Sequence, residues 1–498
     1  MDSPILNSAQ MRHAEEAAFA RGIEVETLMD EAGVGIARAV RKFFPHPGTC
    51  FVYAGKGHNG GDALVAAEHL KRAGWKIDLH LAYPESECGE LTRKKLQTLH
   101  RHPAEGTRAG SPCHTIVLDG LLGLGADRLL REPIRAAARE INQLRHAHNA
   151  FVFAVDLPTG LDADSGEVDP EDCVIADFTI TIGFAKHGLI VDPALDFVGR
   201  IEVVPLVDLA PEVTAPKELA GTAHSLSPLL PRRKFSAYKN QFGRIGIVAG
   251  SKGFVGAALM TTSGALRAGA GLVEVFVPEE IYPIVASAAP VEAMVKPVRS
   301  YRKLAEEKID IWALGPGLGE AHPTEILDLI KGAEQPMVVD ADGLNIVARK
   351  IDILKHCRGP RLLTPHPGEM ERLFEVGKMS RAGTARNFCE QFPVTLLLKG
   401  SRTIVAERGR PLSFNTTGNP GMASGGMGDI LTGVCAGLLG QGLSVYDAAR
   451  LGAWVCGRAA EMSIFNAHAN EQSLLATDVP SVSAMRLRKC KLRRFRNR

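Results

Sequence analysis

The sequence predicts an α/β protein of two three-layer α/β/α domains with mainly parallel sheets. Three observations lead there. At 498 residues the chain is too long for one ordinary domain. Short apolar runs alternate with helical stretches in both halves, the signature of βαβ units and hence of parallel strands. Between the two series the composition breaks at Leu209-Ala210-Pro211-Glu212-Val213-Thr214-Ala215-Pro216-Lys217, and turn signals such as Ser227-Pro228 and Leu230-Pro231 follow. The expected division is 1–212, a linker 213–224, a second domain 225–485 and a basic tail 486–498.

The first half opens with two helical stretches, Ala9–Ala20 and Thr27–Phe44. Apolar strands are expected at Cys50–Ala54, Ile77–Ala82, Thr115–Leu118, Phe151–Val155, Phe178–Ile182 and Arg200–Val204. Helices such as Gly61–Ala73 and Pro133–His146 lie between them. In the second half the expected strands are Arg244–Ala249, Leu272–Val277, Ile309–Leu314, Met337–Val339, Arg361–Thr364 and Thr395–Lys399. The halves share no motif spacing, so no internal repeat is expected.

Apolar residues at 45% and charged residues at 23% are the proportions of a globular protein with ample core. A net charge of +2 gives the body of the chain no reason to bind nucleic acid or membrane. The nine cysteines form no C-x-x-C pair and sit mostly in apolar runs, as reduced core thiols do. Met1-Asp2-Ser3-Pro4 lacks the basic-then-apolar pattern of a signal peptide, and no apolar run is long enough to span a membrane. A soluble, cytoplasmic protein is expected. Residues 486–498 carry eight Lys or Arg and no acid, as a solvated tail or as a contact for RNA or an anionic surface.

The most informative segment is Ser424-Gly425-Gly426-Met427-Gly428-Asp429, which runs into the apolar helix Ile430–Leu439. Amides of a glycine-rich turn at a helix start form a site for phosphate or a developing anion. Asp429, in the first turn, is placed to act as a base toward a hydroxyl. That pairing points to phosphoryl transfer onto an alcohol; alone, the segment also fits a tight turn capping a core helix. Four loops follow predicted strand ends, where open parallel sheets bind ligands. They are Ala249-Gly250-Ser251-Lys252-Gly253, Gly315-Pro316-Gly317-Leu318-Gly319, Thr364-Pro365-His366-Pro367-Gly368-Glu369 and Lys399-Gly400-Ser401-Arg402-Thr403. His366, between two prolines, reads as a rigid ligand-facing residue or as a simple turn.

Taken in order, Val339-Asp340-Ala341-Asp342-Gly343-Leu344-Asn345, the His366 loop, Lys399-Gly400 and Asn419 through Asp429 closely resemble the ribokinase-like ADP/ATP-dependent NAD(P)H-hydrate dehydratase family. The resemblance covers about 225–480. It implies a ribokinase-like fold and repair of nicotinamide cofactors whose reduced ring has added water at C6. A nucleotide phosphate turns the ring hydroxyl into a leaving group, and phosphate is then eliminated. It further implies that Ala257, Gly317, His366 and Asp429 line the hydrate site, and that Lys399, Gly400, Ser401, Arg402, Thr403 and Gly428 hold the adenine nucleotide, with Mg2+ accompanying ADP. Met427 stands where the family usually has Thr; a backbone anion hole tolerates this, though a hydroxyl contact is lost.

In the first half, Gly55-Lys56-Gly57-His58-Asn59-Gly60-Gly61-Asp62 lies between a strand and a helix without meeting the P-loop pattern. Asp119 through Gly125 and Asp156-Leu157-Pro158-Thr159-Gly160 follow two other strands. Oxygens of Asn, Asp and Thr converging from three strand ends would suit a hard cation; polar turns capping strands are the alternative. This set resembles the NAD(P)H-hydrate epimerase domain over about 10–205, which implies a Rossmann-like fold and conversion of R to S hydrate. By that resemblance Asn59, Asp119 and Thr159 would bind a potassium ion. His58, Asn59, Gly60, Gly61, Asp62, Gly123, Leu124, Gly125, Ala126, Asp127, Arg128, Leu129 and Asp156 would contact the hydrate. Asp156 is the expected acid/base group, with Lys186 as charge partner and His187 either a participant or a satisfied surface residue.

The first half departs from the family pattern at His58 for Asn, Ala63 for Gly, Leu124 for Thr and Thr159 for Ser. Two further readings follow: a ribokinase-like small-molecule kinase, and a first domain that binds without catalysing. The resemblance favours ADP over ATP as donor and a homo-oligomer.

Overall fold

In the computed structural model the described residues are 3–101, 114–125, 129–211, 213–230, 232–465 and 469–482. They separate into two compact units, one spanning Ser3–Pro216 and the other beginning at Lys217. Ala126, Asp127, Arg128 and the basic tail lie outside the described residues.

The first unit is built on a six-stranded, wholly parallel sheet. Its order is Lys76–Leu81, Thr49–Ala54, Thr115–Gly120, Phe151–Val155, Phe178–Ile182, Arg200–Val204. The central strands are buried on both faces, as continuous apolar runs require. Two features go beyond the sequence expectation. Glu90–Arg101 is a helix whose Thr92, Lys95, Leu96 and Leu99 make one buried stripe within a charged segment. Ile5–Leu6 pairs in parallel with Ala185–Lys186 as a separate two-stranded sheet.

The helix after the first strand starts at His58, not Gly61, so His58 to Asp62 form its first turn and not a loop. Packing explains the glycines. A Cβ at Gly60 would lie 2.1 Å from the Gly55 carbonyl oxygen, and one at Gly61 would lie 2.6 Å from the Met29 methyl. They let the helix sit on the strand end; Gly57, with open space around it, is the glycine left free to face a ligand.

The second unit carries a ten-stranded sheet. Its order is Ala293–Val298, Leu272–Pro278, Arg244–Val248, Ile311–Leu314, Met337–Val339, Arg361–Leu363, Thr395–Leu398, Ile404–Ala406, Leu412–Asn415, Glu218–Gly221. The first seven strands are parallel. Ile404–Ala406 is antiparallel to both neighbours, a hairpin closed by the Lys399–Thr403 turn. Glu218–Gly221, expected as linker, is an edge strand parallel to Leu412–Asn415; its proline-flanked composition hides a partner that is distant in sequence.

Helix Met427–Gly440 lies against helix Val255–Arg267 with glycines at every close approach. A Cβ at Gly433 would sit 2.0 Å from the Thr261 carbonyl oxygen, and one at Gly437 would sit 2.8 Å from that of Ala265. This register is parallel and advances four residues per contact. Carried back one turn it sets Asp429 level with Ala257. Both helix N-termini, and their partial positive charge, therefore face the same end of the sheet.

Candidate functional sites

In the second unit the sites form at the carboxyl ends of the parallel strands. Gly426 caps the long helix at φ +89°, and a Cβ there would be 2.3 Å from the Met260 sulfur. This tight entry holds Asp429 in the first turn. Burial, then the like charges of Asp340 and Asp342 against the opposing pull of Lys399, raise the Asp429 carboxyl to about 7.

Asp340, 1% exposed, anchors the cluster. It accepts from Lys399 Nζ at 2.7 Å through Oδ1 and from the Thr432 hydroxyl at 2.8 Å through Oδ2. Lys399 also lies 3.6 Å from Glu369 Oε2. Burial opposes the Lys399 charge, yet Asp340 and Glu369 outweigh it and its pKa is raised. Glu369 in turn accepts from the His366 amide at 2.8 Å, while His366 Nδ1 accepts from the Glu369 amide at 3.2 Å. His366 thus caps helix Pro367–Leu373 with Nδ1, while Nε2, 3.6 Å from Glu369 Oε1, lies on a ring about half exposed.

The strand ends are joined by constrained turns. Ala341 adopts φ +48°, a costly backbone for a residue with a side chain. It turns Asp342 so that one carboxylate oxygen accepts from the Gly319 amide at 2.9 Å. Gly317, at φ +56°, presses on Ala257 and Phe254, so Ala257 and Gly317 are neighbours. Gly428 stands where a Cβ would be 3.2 Å from Lys399 Nζ. In the hairpin turn Arg402 has φ +58°, and Arg381 donates to the carbonyls of Ser401 at 2.7 Å and Lys399 at 3.3 Å. The Lys399 ammonium therefore faces the carboxylates, while Gly400, Ser401, Arg402 and Thr403 form the turn.

Sequence pattern alone does not single out Glu369, Thr432 or Arg381, and it names Asp340 within a motif without giving it a role. Asp340 carried a usable signal, since it directly follows a buried strand.

In the first unit Asn59, Asp119 and Thr159 come together. The Thr159 hydroxyl donates to Asp119 Oδ1 at 2.7 Å, and the Thr159 amide donates to Oδ2 at 2.8 Å. Asn59 Nδ2 donates to the Leu122 carbonyl at 2.9 Å, and the Leu122 amide donates to the Thr159 hydroxyl at 3.2 Å. Asn59 Oδ1 faces Gly123, where a Cβ would be 3.4 Å away. Burial raises the Asp119 carboxyl to about 6, although bonds from Thr159 and Leu121 pull it down. The donors are hard oxygens, with no group of three His, Cys, Asp or Glu among the described residues. That set fits an alkali cation better than a transition metal.

Asp156, at φ +67°, accepts from the Ile182 amide at 3.0 Å and pairs with Lys186. Lys186 is fully buried and also donates to the Ile182 carbonyl at 2.9 Å. Asp62, partly open to solvent, is raised well above the usual carboxylate range, first by desolvation and then by the Asp156 charge. Glu15 is raised too, by burial, against the attraction of Lys186. His187 lies outside this cluster, with Nδ1 2.8 Å from the Asp164 carbonyl. Ala63 packs on Gly120, where a Cβ would be 2.4 Å from its methyl, so that departure is absorbed by a glycine opposite. Leu124, Gly125 and Leu129 border residues 126–128.

All seven described cysteines are free thiols, and six are buried. No helix among the described residues is long and apolar enough to cross a membrane.

Comparison with known proteins gives a consistent picture. A family model described as NAD(P)H-hydrate dehydratase matches residues 245–482, and one described as YjeF-related protein N-terminus matches 25–188. A protein of Moorella thermoacetica, named bifunctional NAD(P)H-hydrate repair enzyme Nnr, is 34% identical over 87% of this chain and 87% of its own length. The Escherichia coli protein of the same name is 34% identical over 94% of this chain and 90% of its own. A solved structure of ADP/ATP-dependent NAD(P)H-hydrate dehydratase from Bacillus subtilis, co-crystallised with ATP/Mg2+, is 29% identical. It covers 54% of this chain and 95% of that one, with a TM-score of 0.47.

Proposed function

This chain belongs to the family of bifunctional NAD(P)H-hydrate repair enzymes, and from that premise we infer how its two halves divide the work. The enzyme acts on nicotinamide cofactors whose reduced ring has taken up water. It converts the R hydrate to S and dehydrates the S form to NAD(P)H.

Dehydration belongs to the second unit, and the placement of Asp429 carries that reading. A carboxyl near 7 is matched to accept a proton at neutral pH. Asp429 takes the proton of the C6 hydroxyl as that oxygen attacks the β-phosphorus of ADP, and the bond to AMP breaks. The phosphorylated C6–O bond then breaks with loss of a C5 proton, which releases phosphate and restores the dihydropyridine. Amides 425–428 and the two helix N-termini stabilise the transferring charge. Lys399, tied to Asp340 and Glu369, adds a fixed cation. Ala257, Gly317 and the outer face of His366 border the hydrate, and the turn Gly400–Thr403 borders the nucleotide. Magnesium would accompany ADP and offset the charge of its phosphates.

Epimerisation belongs to the first unit. Asp156, oriented by Lys186 and the Ile182 amide, exchanges protons with the C6 hydroxyl as it leaves and returns on the opposite face. His58, Asn59 and Asp62, with Gly123, Leu124, Gly125 and Leu129, border this hydrate, while Gly60 and Gly61 let the helix carrying them pack. Asn59, Asp119 and Thr159 would hold a potassium ion, which supplies fixed positive charge beside that loop when bound.

The test mixes the full chain with S-hydrate and either ADP or ATP and follows dihydropyridine absorbance with AMP release. Regeneration faster with ADP is expected. No regeneration with either nucleotide refutes the dehydratase, and faster turnover with ATP refutes the donor. Pure R-hydrate consumed to completion supports the epimerase; no consumption of R-hydrate refutes it.

A further inference from the structure

A cavity of about 310 Å3 lies beside the second-unit site; it shares Ser251, Leu318 and Gly319 with the strand-end loops named above, but none of its walls is a residue assigned to the hydrate or the nucleotide. The walls come from Ser251 in the turn after strand Arg244–Val248, from the ends of strands Leu272–Pro278 and Ala293–Val298 and the residues that follow them, and from Leu318, Gly319, Ala321, His322 and Ile326, after strand Ile311–Leu314. The volume is that of a small-ligand pocket. One side is apolar, formed by Pro278, Val298, Leu318 and Ile326. Next to it His322 stands edge-on to the buried Tyr301, ring centroids 5.5 Å apart. At the mouth are Glu279, Glu280 and Arg299, with Arg299 already paired to Glu279 at 2.5 and 3.0 Å.

The chain order around the cavity is informative. Strand Arg244–Val248 leads through Gly250 (φ +82°) and Gly253 (φ +88°) into helix Val255–Arg267, and the next strand ends at Glu279-Glu280. Strand, glycine turn, helix, and a strand ending in acid is the arrangement by which parallel folds hold a pyrophosphate and an adenosine ribose. Strand spacing gives the span. From Leu272–Pro278 to the Met337–Val339 end that carries Asp340 there are three steps. That makes roughly 14 Å, too far for a mononucleotide and suited to an extended dinucleotide. The Lys399 hairpin lies on the other side of Asp340, two strands further on.

We propose that this cavity takes the adenosine half of the hydrate, with Glu279 and Glu280 accepting its ribose hydroxyls, so that NADH hydrate is used in preference to NADPH hydrate. The proposal rests on the dehydratase reading. The base packs on the apolar wall and the His322 edge. A 2′-phosphate would meet two carboxylates and an arginine that is already engaged, a like-charge conflict that discriminates by repulsion. The pyrophosphate crosses the first turn of helix Val255–Arg267 and brings the nicotinamide end to Asp429.

Kinetics of the full chain with ADP and each S-hydrate test this. Wild type is expected to show kcat/KM at least about fivefold higher for NADH hydrate. Ala321, exposed on the rim, is replaced in A321W, which sets an indole across the mouth. Its KM for NADH hydrate should rise about tenfold while its KM for ADP stays within about twofold. Glu279→Gln removes the repelling charge and releases Arg299, so the preference for NADH hydrate should fall at least about threefold. An unchanged KM in A321W, or an equal rise in KM for ADP, overturns the cavity assignment. A wild-type preference for NADPH hydrate, or an unchanged ratio in E279Q, overturns the ribose assignment. If wild type regenerates nothing, the dehydratase reading fails instead. The cavity is then judged by NADH titration: weaker binding to A321W supports it and equal binding refutes it.

Discussion

Replacing Asp429 by Asn should slow dehydration strongly and stabilise the second unit, and the pH dependence of the gain is fixed by the structure. The carboxyl moves from 3.8 to about 7 on folding, chiefly through burial. Between those values the native state holds a proton that the unfolded chain has released. Stability therefore falls as pH rises through this window and levels off above about 7. At about 1.4 kcal/mol per tenfold, the whole loss is up to about 4 kcal/mol. Asn keeps the shape and cannot ionise. D429N should match wild type near pH 4 and exceed it at pH 8 by an amount approaching that figure. Removing the base should lower kcat by about 10²–10⁴. Urea unfolding followed by Trp312 and Trp454, with Trp75 replaced by Phe in both proteins, reads the second unit alone. A stability difference that stays flat from pH 4 to pH 8 would refute the account of Asp429, whatever the kinetics.

Other outcomes follow from the same geometry. Lys186→Met leaves Asp156 buried without its ammonium, so the first unit should lose about 3–5 kcal/mol; R-hydrate conversion should vanish while S-hydrate dehydration survives, which the two pure epimers separate. Asp119 is held to about 6, so potassium activation of R-hydrate conversion should be present above that pH and fade below it. Asp119→Asn should remove the response to potassium at every pH, read as rate against KCl. Gly428→Ala puts a methyl 3.2 Å from Lys399 Nζ and 3.4 Å from Asp340 Oδ2. KM for ADP should rise about tenfold with stability changed by less than about 1 kcal/mol, because Ala favours the helix that the contact disfavours.

The strands were legible because each is an apolar run bounded by turn residues, and parallel packing leaves such runs uninterrupted. The turn that leads into Asp429 was legible because glycines cluster at 425, 426 and 428 just before an apolar helix. What escaped was set by partners distant in sequence. Glu218–Gly221 reads as linker until Leu412–Asn415 supplies its ladder. Glu90–Arg101 looks like solvated charge, yet Lys95 is buried against Glu26 and Asp30 at 2.7 and 2.6 Å. Glu369 looks like the end of a turn, and its link to Lys399 appears when the strands that precede them, Arg361–Leu363 and Thr395–Leu398, lie side by side. The glycines of Gly60-Gly61 were visible, but their reason was not: they make room for Gly55 and Met29, and no pattern of spacing states that.

The short ladder joining Ile5–Leu6 to Ala185–Lys186 bears on how the first unit comes into being. Lys186 sits on the later strand of that ladder, and Ser8 is fastened to the same region through its amide to Asp164 at 2.6 Å. During synthesis the opening residues must wait, unpaired, until nearly the whole unit has emerged. Closing so long a loop is entropically slow. The Lys186–Asp156 pair, proposed above as the epimerase centre, is thus among the last parts of its half to mature, and a fusion ahead of Ile5 would sit next to the ladder that carries Lys186 although it lies far away along the chain.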